Sequence, residues 1–426
     1  MPDDLRPTPA LAAGFQLMEV DPAFNADPMA RLDPLREAAP VRRDPVFPDV
    51  VTATTHEAAR AILNDASGAR DLTKAREGNL MSVALQALFA EVQARTHAVN
   101  AGHEGSPVNS FFFMDEPDHG RLRGIVGPLF LKRVAAFRPN IEKVVNETLA
   151  GLEGRASFDA VADYAVPIPV RVIAEVMGVA DHDLPRFKAW SDDSFLMFNP
   201  MRTPEEHQRC IGALAGLYDF FADLTAARKA EPRDDLISDL VCAQGEGAPI
   251  SDAEIVVQMN MLLTAGNVTT TDLISSGVYM LLTHADARAR LLAEPALISS
   301  TVEEVLRTEP PATRSFRFAG ADGAVGGCPV QKGDMLSALI MAANYDPAVF
   351  SDPHRVDIAR KPNPHLTFGG GGRMCLGAPL ARLEGQLALL KLFQRFPNLR
   401  RMEEGPPERR PTPGQRGPSR LPVSVV

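Results

Sequence analysis

One proline-free run, SDAEIVVQMNMLLTAGNVTTTDLISSGVYMLLTH, constrains this chain more than any other feature. Ser251 and Glu254 open it with the S-x-x-E spacing of a capping box. About 30 residues of helix follow, roughly 45 Å at 1.5 Å per residue. The middle is apolar on nearly every face, so the helix must cross the protein interior. Yet its centre holds Gly266 and the threonines Thr269, Thr270 and Thr271, which weaken a helix. Local rules broken in the middle of a buried helix point to a functional site. Helical spacing puts Ala265, Gly266 and Thr269 on one face. With no side chain, Gly266 leaves room there for a flat or small ligand.

A second stretch, FGGGGRMCLG at residues 368–377, sets consecutive glycines ahead of one cysteine. Each glycine costs roughly 1 kcal/mol relative to alanine in a regular element, so the run implies close approach to the backbone. A phosphate loop would end in Gly-Lys-Ser/Thr, whereas this one ends in Gly-Arg-Met-Cys. The cysteines, Cys210, Cys242, Cys328 and Cys375, are scattered with no C-x-x-C pair. That argues against a zinc or iron–sulfur centre built from cysteines. Cys210, Cys242 and Cys328 read as small buried hydrophobes.

The remaining pattern is mostly helical. DVVTATTHEAARAIL reads as a short strand and then a helix from Thr55, and GNLMSVALQALFAEVQ has helical periodicity. NAGHEGSPVNSFFFM is loose, residues 121–133 are helical, and further helices run to residue 240. RLPVSVV closes the chain as a strand. Residues 1–50 are proline-rich and irregular. The expected fold is mainly α with small β-sheets, an N-terminal surface segment over 1–33 and one domain over 34–426. A net charge of −10 disfavours nucleic acid as a partner. With no long uncharged apolar run and no basic-then-apolar leader, the expectation is a cytoplasmic protein without a membrane span.

The cysteine stretch resembles the heme-binding signature of the cytochrome P450 family, matching it at Phe368, Gly371, Arg373, Cys375 and Gly377. AGNVTT is similar to that family's distal helix motif, EEVLR to its E-x-x-R pair (Glu304 and Arg307), and DEPDHGRLRGIV to its heme-flanking helix. ANYDPAVFSDPHRVDIAR resembles the segment that completes the family's core with an arginine, here Arg360. The resemblance implies heme b between the long central helix and the cysteine loop, with Cys375 as iron ligand. A thiolate ligand pushes electron density onto heme iron and favours O–O cleavage. It also implies that His119, Arg123 and Arg373 contact the heme propionates, with Arg317 and His365 as further candidates. Arg314 reads as a solvated charge. Glu304, Arg307 and Arg360 would form a buried network serving folding and heme retention.

The implied activity is monooxygenation: one oxygen atom of O₂ enters a small hydrophobic organic substrate. NAD(P)H would supply electrons through a ferredoxin reductase and a ferredoxin. Arg121, Lys132 and Arg133 are expected as a basic patch for that acidic carrier. SFFFM at 110–114 and WSDDSFLMFNPM at 190–201 are candidates to line the substrate pocket. The alternatives are a peroxide-driven enzyme and a non-catalytic ligand binder. One departure stands out: the distal motif normally has an acid before its threonine, and here that residue is Val268. Of its polar neighbours, Asn267 points away from Thr269, and Asp272 could relay a proton only through water.

Overall fold

The central helix is continuous, running 32 residues from Asp252 to Thr283. Its capping box is formed: Ser251 N donates to Glu254 Oε2 at 2.7 Å, and Glu254 N to Ser251 Oγ at 3.2 Å. A computed structural model gives the fold and describes residue 14 and residues 18–96, 109–410 and 412–425. Residues 97–108, which include 100–108 of the loose stretch, lie outside the described residues, as does most of 1–17.

The chain divides into two units, and residues 34–426 fall in both. The first comprises Ala69–Pro139 and Val170–Val268 and is helical, with no strand among its described residues. In it Pro204–Ala230 packs on Leu184–Ser194, Leu80–Arg95 and Leu236–Gly245. Against the expectation of no long apolar run, Pro204–Ala230 is long and apolar enough, by length and composition, to cross a membrane. Half of its apolar window is buried inside the protein, with Ile211, Leu217 and Phe221 at 0% exposure. Protein contacts therefore account for about half of that apolar surface.

The second unit comprises Pro2–Gly68, Asn140–Pro169 and Thr269–Val426 and holds the sheets. Its four-stranded sheet has the order Val41–Arg43, Val50–Ala53, Met335–Ala338, Ser315–Phe318, with the middle pair parallel. Pro422–Ser424, the expected terminal strand, pairs with Ser157–Asp159 and Arg400–Arg401. The helix expected from Thr55 spans His56–Asn64, with Thr55 as its cap. Its Ala59, Ile62 and Leu63 pack beneath the four-stranded sheet.

The N-terminal region departs from expectation. Residues 1–50 include helices at Pro22–Ala26 and Met29–Ala38 and strands at Val41–Arg43 and Val50–Ala53. The Asp21 side chain caps the first helix through Ala23 N at 2.9 Å, and Pro22 sits where a missing N–H costs nothing. Nor is 1–33 merely a surface segment, since Met18 and Leu32 are fully buried against Leu339 and Met341.

Glu304 and Arg307, on the helix Ile298–Thr308, are both 0% exposed. Arg307 Nε and Nη2 donate to the Glu304 carboxylate at 2.9 and 2.8 Å, and Arg360 Nε donates at 3.2 Å. Removing one member of such a set strands a buried charge, which costs about 3–5 kcal/mol. Arg307→Ala should therefore lower unfolding stability by about that amount, seen as a reduced urea midpoint at unchanged slope.

Candidate functional site

The cysteine loop lies in the second unit, between Leu366 and the helix Ala378–Arg395. Cys375 N donates to Phe368 O at 2.9 Å, pinching the loop shut, and Gly369 N donates to Leu366 O at 2.8 Å. Gly369 and Gly371 have φ of +73° and +62°, a left-handed conformation that L side chains avoid. A Cβ on Gly370 would meet Asn64 Oδ1 at 2.5 Å, and one on Gly371 would meet Asn64 Cα at 3.3 Å. These glycines thus let the loop turn tightly and lie on the end of the helix His56–Asn64. A Cβ on Gly377 would make only ordinary contact with the Cys375 sulfur, at 3.9 Å. Cys375 is exposed, as is Met374 beside it at 48%. The helix that follows three residues later turns its N-terminal end, the positive end of its dipole, toward this loop.

A polar cluster holds the flank of the loop. His365 Nε2 lies 3.1 Å from Glu303 Oε2, and Thr367 N donates to His365 Nδ1 at 3.3 Å. With both ring nitrogens engaged, His365 has no N–H left for a propionate and positions the loop instead. Arg382 donates to the same Glu303 carboxylate at 2.7 and 2.9 Å, and its guanidinium lies 4.4 Å from the Phe368 ring centre. The sequence reading passed over Glu303 and Arg382; the only signal was a second acid in EEVLR. Arg317 is 2% exposed and gives Nη1 to Phe316 O and Nη2 to Leu63 O. Arg373 ends the turn Gly371–Arg373. Arg314, expected in solvent, is half-buried in an ion pair with the buried Glu19 at 2.5 Å.

The central helix is buried along most of its length, but Ala265 is exposed and Leu262, Gly266 and Thr269 are half-buried. The i, i+3, i+4 spacing makes these one accessible strip. A Cβ on Gly266 would find only Ile173, at 3.9 Å. The opposite face carries bonds the sequence did not reveal: Asn267 Nδ2 donates to Ser191 Oγ at 2.7 Å, and Thr264 Oγ1 lies 3.0 Å from Ser194 Oγ. Asn267 is thereby fixed to the helix Leu184–Ser194. Asp272 is 0% exposed and paired with Arg410, so it faces the C-terminal segment. Burial pushes its carboxyl up, and Arg410 and Arg409 oppose that.

In the first unit, His119 is 4% exposed, with Nδ1 at 2.9 Å from Glu116 Oε1, and half-buried Arg123 lies one turn along the helix Asp118–Ala136. The expected basic patch is largely neutralised. Arg121 pairs with Asp118 and Glu254, and Arg133 with Asp234 and Asp239, leaving exposed Lys132. Among the other cysteines only Cys210 is buried, its thiol pushed up to about 12 by desolvation; Cys242 is exposed and Cys328 half-buried.

These residues fit an iron porphyrin. Cys375 offers one exposed thiol, which suits a metal whose other ligands come with the cofactor. The open strip at Ala265 and Gly266 suits a flat partner. The flank cluster carries a pH signature. Burial would raise the Glu303 carboxyl, but bonds from His365 and Arg382 outweigh it and hold it at about 2. A depressed carboxylate stabilises the fold above its unfolded value of about 4.3, and that stability is lost as pH falls through the folded one. Glu303→Gln should therefore melt below wild type at pH 6. The gap should close progressively below about pH 4.3, as read by thermal melts across the acid range.

Comparison with known proteins identifies the family. Residues 67–419 match the family model described as Cytochrome P450. The chain is 38% identical to Cytochrome P450 CYP107DY1 of Priestia megaterium over 67% of its length and 70% of that protein. It is 34% identical to 6-deoxyerythronolide B hydroxylase of Saccharopolyspora erythraea, over 88% of its length and 90% of the hydroxylase. The solved structure of myxobacterial cytochrome P450 CYP267B1 with myristic acid superposes with a TM-score of 0.83 at 32% identity, covering 96% of this chain and 99% of that one. The chain belongs to the cytochrome P450 family.

Proposed function

We propose that this protein is a heme-thiolate monooxygenase that inserts one oxygen atom of O₂ into a small hydrophobic organic substrate, with electrons delivered from NAD(P)H by a ferredoxin reductase and a ferredoxin. Family membership makes it a heme-dependent oxidoreductase. The finer assignments are heme b, a cytoplasmic setting, a single functional domain over 34–426, and this electron route. The observation that carries the reading is the exposed Cys375, set on a glycine loop just ahead of a helix.

Cys375 would ligate the iron, and Phe368, Gly371, Arg373 and Gly377 would shape its loop. His119, Arg123, Arg373 and Arg317 would serve the propionates. The bound heme supplies O₂ binding and activation. This chain's own task is then to steer protons and exclude water. Thr269 presents a hydroxyl able to accept and donate a proton at Oγ1. Ala265 and Gly266 keep that stretch of helix uncrowded. Neither polar neighbour backs Thr269 up, since Asn267 bonds to Ser191 and Asp272 to Arg410. Val268 can hold no proton at all. The proton route therefore ends at Thr269 without an acid beside it in the chain.

A surrogate ferredoxin and reductase provide the test, with product and hydrogen peroxide counted per NAD(P)H consumed. Thr269→Ala should raise peroxide and lower product. Val268→Asp should improve coupling if the missing acid limits turnover. An unchanged ratio in Thr269→Ala would remove the hydroxyl from oxygen activation. Substrate-independent NAD(P)H use with no product would instead favour the non-catalytic alternative, and turnover only with added peroxide the peroxide-driven one.

A further inference from the structure

The stretch WSDDSFLMFNPM, expected to line a substrate pocket, runs into a strap, residues 195–203, between the helices Leu184–Ser194 and Pro204–Ala230. Phe195, Met197 and Met201 of this strap are buried, at 7%, 2% and 8% exposure. Met197 walls a cavity within the first unit, together with Phe89 and with Phe113 of the SFFFM stretch. Phe198 meets Phe112 edge-on, with ring centres 6.1 Å apart. The space left in the cavity is about 20 Å³, room for about one water. An organic molecule enters it only if a wall moves.

One buried cation fastens the strap. Arg202 is 4% exposed, and among the described residues no carboxylate bonds to it. Its Nη1 donates to Asn199 O within the strap, and its Nη2 to Ala84 O on the helix Leu80–Arg95, both at 3.1 Å. Its Nε donates to His207 Nδ1 at 2.9 Å. A guanidinium can only donate, so His207 Nδ1 must be a bare acceptor and the imidazole neutral. The ring proton then sits on Nε2, which donates to Glu91 Oε1 at 3.0 Å. Ala84 and Glu91 lie on the helix that also carries Phe89, so one helix supplies a cavity wall and both anchors of the strap.

A proton added at Nδ1 turns this acceptor into a donor and sets an imidazolium against a buried guanidinium. The surrounding charges do not undo that conflict. Glu91 is exposed, so its pull on the ring is screened by water. Glu206 is committed to the capping box with Thr203, and Glu205 is exposed beside it. On the facing helices, Arg95 donates to Gln208 and Asp193 is paired with Arg209. Cys210, one turn along, is buried as a neutral thiol. His207 also stands near the N-terminus of its helix, where the dipole disfavours a cation.

We propose that His207 is a proton-operated latch on this cavity. Neutral, it holds Arg202 and keeps the strap closed; protonated, it frees Arg202 and lets residues 195–203 move off the helix Leu80–Arg95, opening the cavity to an apolar guest. The closed form binds one proton fewer than the open one, so acid favours opening. The latch needs no heme chemistry and stands independently of the monooxygenase reading.

Hydrogen–deuterium exchange on the heme-loaded full chain, corrected for the intrinsic effect of pH, tests this between about pH 8 and about pH 5, the span in which imidazole titrates. Peptides over residues 195–203 should lose about tenfold in protection as pH falls, the worth of one charge-assisted hydrogen bond. Those over residues 211–221 should keep theirs. His207→Gln, whose amide can accept and donate as the neutral ring does but takes up no proton, should stay protected throughout. His207→Lys, charged at every pH in this span, should be open from the start, and chymotrypsin should cut it between Phe195 and Phe198 faster than wild type at about pH 8. Strap protection in wild type that ignores pH would overturn the latch. So would a pH dependence that survives in His207→Gln, or loosening in His207→Lys that spreads equally to residues 211–221.

Discussion

A carboxylate cut off from water cannot leave its oxygens unmatched, and Glu304 is such a carboxylate. It gathers Arg307, Arg360, the Asn363 amide and the Asp357 backbone N–H around itself. Arg307, fixed by that carboxylate, reaches the carbonyls of Asn344, Pro353 and Arg355. Asn344 in turn accepts from Leu366 N and donates to Thr367 Oγ1. Leu366 O receives Gly369 N, and the loop then closes from Cys375 N to Phe368 O. Hydrogen bonds and short chain links thus connect one buried acid to the backbone of Cys375. The bonds around Glu304 offset the cost of burying it, and the same set ties down the loop's backbone.

The central helix resolves a different conflict. A helix through the interior must be apolar, yet a helix serving oxygen chemistry needs hydroxyls and open backbone. This one separates the demands by face. Leu262, Ala265, Gly266 and Thr269 stay accessible along one strip, while Thr264 and Asn267 find partners in Ser194 and Ser191 on the opposite side. Its C-terminal half is tied by Asp272 to Arg410. Every polar group so secured is one that cannot drift toward the strip and compete there.

Much of this was legible in the sequence because it depends on local rules. The Ser251–Glu254 box, the Thr55 cap and the uninterrupted central helix follow from spacing alone, and the glycine-cysteine stretch pointed to its loop. What escaped depends on distant residues. Arg133 reads as a docking charge until Asp234 and Asp239, a hundred positions away, are found against it. Glu303 reads as a solvated acid until His365 and Arg382 close on it, and Arg314 as a surface charge until Glu19 does. The close approach that the glycines imply is made by Asn64, which the sequence does not place beside them. On the helix Ala378–Arg395, Glu384 looks like an ordinary surface acid. It is 2% exposed, and burial raises its carboxyl well above the usual range.

The central claim is that Cys375, alone among the cysteines, delivers a thiolate to heme iron. The most direct measurement is the absorption spectrum of the reduced, heme-loaded protein under carbon monoxide, taken for wild type and for Cys375→His. Wild type should show the strongly red-shifted Soret band of thiolate ligation, and Cys375→His, where it retains heme, should lose it because imidazole donates less electron density. A wild-type band at the position of an imidazole-ligated globin, or a shifted band that survives in Cys375→His, would contradict the account.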